Sequence, residues 1–160
     1  MPSGIKSPPN APPFTQARFP VQQLSVFLHN RVGALLSLVK LLNEHKIVVL
    51  GFSVQDSVEL TLVRLVVSAP EDAERVFAEQ GLACAAKNIV VVELREGVHD
   101  LGHALSALLA AEINIHHSYP LLIRPGGKPL LALYLDEPEV GADSLGKSGF
   151  KVLSQGDLSR

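Results

Sequence analysis

The stretch LHNRVGALLSLVKLLNEHKIVV, residues 28–49, reads as strand, turn, helix and strand. Leu35, Leu38, Val39 and Leu42 recur at helical spacing on one face, which predicts a helix over 33–46. LSVFLHN before it and IVVLGFSV after it have the apolar, β-branched character of strands. The first joint carries His29, Asn30, Arg31, Val32 and Gly33. A helix N-terminus presents unpaired N–H groups and a partial positive charge. Glycine there lets a ligand come close to the backbone. The joint therefore suits a carboxylate or a phosphate, or it simply turns the chain.

Outward from this stretch the alternation continues. QDSVE reads as a turn, LTLVRLVVS as a strand, SAPEDAERVFAEQG as a short helix and LACA as a short closing strand. Ser68 with Glu71 has the pattern of a capping box, and Gly81 supplies the stop. The pattern then repeats. A shift of 66 positions carries Leu35, Leu38, Val39, Leu42 and Ile47 onto Leu101, Ala104, Leu105, Leu108 and Ile113. A shift of 68 carries Ser68, Pro70, Glu71 and Gly81 onto Asp136, Pro138, Glu139 and Gly149. The second hairpin turn is RPGGKP. This is an internal duplication of about seventy residues. The fold class expected is α+β: two ferredoxin-like βαββαβ units side by side, each a four-stranded antiparallel sheet with helices on one face. The expected limits are a Pro-rich arm over 1–20, a first unit over 21–87 and a second over 88–160.

Composition narrows the function classes. The chain is 47% apolar and 19% charged, so it needs more buried surface than an average domain. A net charge of −2 with no basic run, no Trp and two Tyr argues against nucleic acid. The lone Cys84 excludes an internal disulfide and a CxxC metal site. No apolar run approaches a membrane span, and MPSGIKSPPNAPPF lacks the core of a signal peptide, so a cytoplasmic location is expected. Six of the eleven prolines fall in the first twenty residues, which makes that segment either a flexible leader or an arm lying on a partner subunit.

HNRVGALLSLVKLLNEHKIVV resembles the opening of an ACT domain, whose pattern is strand, N-R-P-G-x-L, helix, I-N-I and strand. AEINIHHSYPLLIRPGGKPLLALYLDEPE with SGFKVLS resembles the second half of a tandem ACT protein, so the likeness covers roughly residues 21–158. Val32 replaces the family's proline, and His99 stands where the second copy should have its glycine. The resemblance implies a regulatory, non-enzymatic module that binds an amino acid at the seam between two domains. It places Asn30, Arg31, Val32, Gly33 and Ala34 from the first copy, with Asn114 and His116 from the second, around the ligand. The reciprocal positions are Glu96 and Val48, which do not match, so one seam site is expected intact and the other degenerate. No cofactor is implied, and the regulated protein lies outside this chain.

Other residues allow other readings. His99 and His103, four apart on one helix, with His116, form an alternative nickel or zinc set. His116 and His117 are neighbours on a strand and should face opposite sides. An acylphosphatase-like enzyme would need an anion loop with an arginine, for which Arg31 is the one candidate, and the wider signature is missing. Cys84 reads as core. Arg64 shares a strand face with Leu62 and Val66, which puts it at a sheet edge or in an interface. IVVLGF and LTLVRLVV are apolar on both faces, from which a homodimer is expected.

Overall fold

The computed structural model describes residues 20–159; the arm expected over 1–20 lies outside the described residues apart from the exposed Pro20. The first unit runs β1 (Val21–His29), α1 (Ala34–Glu44), β2 (Val49–Asp56), β3 (Leu60–Val67), α2 (Pro70–Glu79) and β4 (Cys84–Glu93). A 3-10 turn, Gly97–Asp100, leads into α3 (Leu101–Ala110), β5 (Ile115–Pro120), β6 (Leu130–Leu135), α4 (Pro138–Lys147), β7 (Lys151–Leu153) and a terminal α5 (Gln155–Leu158).

The two four-stranded sheets expected from the duplication are one seven-stranded sheet, ordered β2-β3-β1-β4-β6-β5 with β7 also on β4. The reason is β4. Its first half pairs with β1, from Val26↔Cys84 to Val21↔Ile89. Its second half pairs with β6 on one side and β7 on the other. CAAKNIVVVE contains neither Gly nor Pro, so nothing breaks the strand between the units, and it serves as the last strand of one and the first of the next. The boundary expected between residues 87 and 88 falls inside it.

Side chains on the two faces of each strand go to different cores. Leu24, Val26 and Leu28 of β1, with Val63, Leu65 and Val67 of β3, pack under α1 and α2. Val90, Val92, Leu133 and Leu135 pack under α3 and α4. A third core lies between the two halves of the sheet, where Val21, Leu50, Val66, Ile89 and Val91 meet Tyr119, Leu121, Leu130 and Ala132. The sheet therefore curls until its ends meet: Leu122 N donates to Leu50 O at 2.8 Å, joining the chain just after β5 to β2. Gly51 permits the approach, because a Cβ there would lie 3.2 Å from Leu121 Cα. Leu158 of α5 joins this inner core, and Gln155 Nε2 donates to Val67 O at 3.0 Å, which fastens α5 to the end of β3.

This packing corrects the argument for a homodimer. The second apolar face of β3 is covered by the chain's own second unit, and Val66 is buried there. Each leucine or valine so buried contributes roughly 1.5–3 kcal/mol relative to exposure. The helix-cap reading also changes. No side chain caps α2. Ser68 Oγ instead accepts from Val48 N at 2.9 Å, and the repeat-related Asp136 Oδ1 accepts from Asn114 N at 3.1 Å. Both side chains fasten the entry to the unit's second strand, which is why a polar acceptor recurs at that place.

Candidate functional site

The joint after β1 is an exposed turn. Asn30, Arg31 and Val32 face solvent, and Asn30 Nδ2 donates to Ser57 O at 3.3 Å. Gly33 precedes α1 with φ of 84°, a left-handed conformation that a side chain would strain. No side chain caps α1, and its first turn holds no acidic residue. By contrast, α2 carries Glu71 and Asp72 in its first turn, and α4 carries Glu139. The first turn of α1 thus carries no carboxylate to offset its positive end.

The equivalent turn of the second unit differs. Glu96 N donates to Asp100 Oδ2 at 3.0 Å, so a carboxylate of the chain already occupies the backbone there. Gly97, with φ of 68°, supplies the left-handed residue one position later than Glu96. Asn114 is exposed at the entry to β5; its backbone is engaged by Asp136, and no hydrogen bond links it to Asn30 among the described residues. Val48, its counterpart, is exposed at the entry to β2.

The histidines do not assemble as the alternative metal set requires. The His103 ring lies edge-on to Phe150, 5.0 Å between centroids, while His116 lies 5.1 Å from Tyr134 on β6. His99 is in the 3-10 turn before α3. Among the described residues no three His, Cys, Asp or Glu side chains form a metal-holding group. The expectation that His116 and His117 face opposite ways fails as well. The β5–β6 register shifts between Ile115 and His117, and this bulge turns both rings to Tyr134, with His117 at 4.9 Å.

His117 belongs to a network that the sequence did not reveal. Gln23, only 1% exposed, accepts at Oε1 from the Tyr119 hydroxyl at 2.7 Å and lies 3.1 Å from His117 Nε2. Burial, then Arg64, then His116 hold the His117 pKa below the ordinary histidine value. Burial also pushes the Tyr119 hydroxyl upward. Arg64 lies on the β3 face that carries Leu62 and Val66, donates to Gln55 of the adjacent β2 and helps lower the His117 pKa. The local pattern did not single out Gln23, because it alternates with Val21, Ser25 and Phe27, out of phase with the apolar Leu24, Val26 and Leu28.

Several solved structures share this architecture. Protein BT0572 from Bacteroides thetaiotaomicron aligns with a TM-score of 0.81 at 19% identity, covering 89% of this chain and 98% of that one. The ligand-free regulatory subunit of aspartate kinase from Thermus thermophilus aligns at 0.60 and 12% identity, covering 82% and 94%. The same subunit from Thermus flavus aligns at 0.53 and 14% identity, covering 81% and 93%. At such identities the likeness establishes the fold alone. No curated protein sequence matches the chain. A family model described as an ACT domain pair matches residues 19–160, and with the duplicated units and their strand order in place, the chain belongs to that family.

Proposed function

We propose that the chain is a non-enzymatic regulatory module that binds an amino acid at the turn before α1. The observation that carries this reading is the contrast between the two turns. The Asn30–Ala34 turn offers an uncapped helix N-terminus with no acidic residue nearby in its first turn, whereas its counterpart already holds Asp100 against Glu96 N. A ligand carboxylate is matched by the first and repelled by the second. Asn30 and Gly33 would receive the carboxylate, Arg31, Val32 and Ala34 would frame it, and Asn114 and His116 would be the second unit's contribution. Members of the aspartate kinase regulatory type share the fold, which supports a regulatory role read out by a separate protein. We place the module in the cytoplasm; among the described residues no helix is long and apolar enough to cross a membrane. A homodimer remains part of the proposal on a new footing, since Phe52 and Val54 are exposed on the end strand β2.

Calorimetry against the twenty amino acids tests the reading. One site per chain is expected. Asn30→Ala or Asn114→Ala should each weaken binding by about one to two powers of ten, because a hydrogen bond to a charged group contributes roughly 1.5–3 kcal/mol. Val48→Ala should leave it nearly unchanged. Two equivalent sites, or normal affinity in both asparagine variants, would overturn the assignment.

A further inference from the structure

We propose that the inner face of the sheet, where it emerges from the shared core, binds a small organic carboxylate carrying a flat ring, held by Arg64 and Lys87 against Tyr134. This site is separate from the turn before α1. Leu158 packs into the shared core at one end. Toward the other end the inner face of the first unit continues past the shared core through Ser25, Phe27, Leu62 and Arg64, since Ser25 pairs with Arg64 and Phe27 with Leu62.

Two cations lie on this face without a counter-charge. Arg64 is partly buried, and its guanidinium donates to the neutral Gln55 Oε1 at 3.1 Å. Lys87 Nζ stands 5.8 Å from the centroid of the Tyr134 ring. Among the described residues neither forms an ion pair. The inner face has one buried carboxylate, Glu93, which is 3.8 Å from Lys128. It lies at the opposite end of β4 from Ala85, the residue level with Ser25 and Arg64. An arginine taken partly out of water with most of its five donors unused favours an anion, and its planar fork matches a carboxylate.

The walls specify the rest of the ligand. The His117 ring lies 4.9 Å from that of Tyr134 between centroids and stacks on Tyr119 at 6.3 Å. Phe27 is an exposed apolar lip beside Leu62. At the base, Gln23 uses its carbonyl for Tyr119 and His117. A flat ring can stack in this setting while its carboxylate reaches Arg64 and Lys87.

Tyr119 and Tyr134 are the chain's two tyrosines and it has no tryptophan, so their ring resonances report on this place alone. The full chain is titrated by NMR with benzoate, with benzyl alcohol and with inorganic phosphate. Saturable shifts of Tyr134 and His117 are expected with benzoate. Binding of benzyl alcohol and of phosphate should be at least tenfold weaker. Arg64→Gln and Lys87→Gln should each weaken benzoate at least tenfold with an unchanged circular dichroism spectrum, and Asn30→Ala should leave it unaltered. Absent shifts, equal binding of benzyl alcohol or phosphate, or full affinity in both cation variants would overturn the proposal. Loss of benzoate binding in Asn30→Ala would also overturn it. Failure of amino-acid binding at the α1 turn would leave these outcomes untouched.

Discussion

The Tyr119 hydroxyl and Gln23 Oε1 are 2.7 Å apart across a sequence separation of 96 positions. β1 and β5 are not neighbours in the sheet, so this bond crosses the interior and ties the first strand of one unit to the second strand of the other. It satisfies a polar group that would otherwise be stranded between apolar walls.

Tyr119→Phe should therefore lower stability by about 1 kcal/mol, because Gln23 Oε1 retains His117 as a partner. Gln23→Leu should cost more, about 2–3 kcal/mol, since it strands both the hydroxyl and the imidazole. The double variant should cost less than the sum. Urea melts of the three proteins measure this; strictly additive losses would refute the coupling.

Gly51→Ala should destabilise the chain by about 1–3 kcal/mol through overpacking. The new methyl would press on the Leu121 side chain and lie 3.2 Å from its Cα, at the place where β2 meets the end of β5. Gly102 is the control, since a Cβ there meets nothing within 4 Å. A thermal midpoint for Gly51→Ala equal to that of Gly102→Ala would contradict the closure described above.

His117 should make stability depend on acid. Its folded-state pKa is depressed, so the unfolded chain takes up this proton first as the pH falls. Stability from this source is complete above about pH 6.5 and declines below it until the folded pKa is passed. The facing groups are Arg64, His116, Gln23, Tyr119 and Tyr134, with Lys87 over the Tyr134 ring. The midpoint of thermal unfolding should fall between pH 7 and pH 5 more steeply in the natural chain than in His117→Gln. Equal slopes would remove His117 as the cause.

Cys84 should be slow to alkylate. Burial, reinforced by Glu74, pushes its thiol up to about 11. At pH 8 roughly one molecule in a thousand would then carry the thiolate that reacts. Iodoacetamide should modify the folded chain far more slowly than the chain in urea, where an ordinary thiol near pKa 8.5 is restored. Equal rates would show that Cys84 is open to solvent in the folded state.

The local pattern was legible from the residues alone. Helical spacing of Leu35, Leu38, Val39 and Leu42 gives α1, and its repeat 66 positions later gives α3. Duplication and family follow from such local regularities, because side-chain period and turn chemistry act between near neighbours. Even the left-handed residues repeat, Lys46 with φ of 58° and Glu112 with φ of 56°. The Asn30–Gly33 turn was readable for the same reason.

What the pattern could not decide is how two amphipathic units meet. Apolar residues on both faces of β3 state that a second surface is covered, and they are silent on whether a second chain or the same chain covers it. Only the tertiary structure, by running β4 through both units and folding the sheet until Leu122 reaches Leu50, assigns that role to the chain itself. The same closure brings Gln23, Arg64, Lys87, His117, Tyr119 and Tyr134 to one place from five strands. The bulge that turns His116 and His117 together is also a matter of pairing register. Such groupings depend on contacts between residues far apart in the chain, where burial is non-directional and the partner is selected by the whole packing rather than by any local spacing.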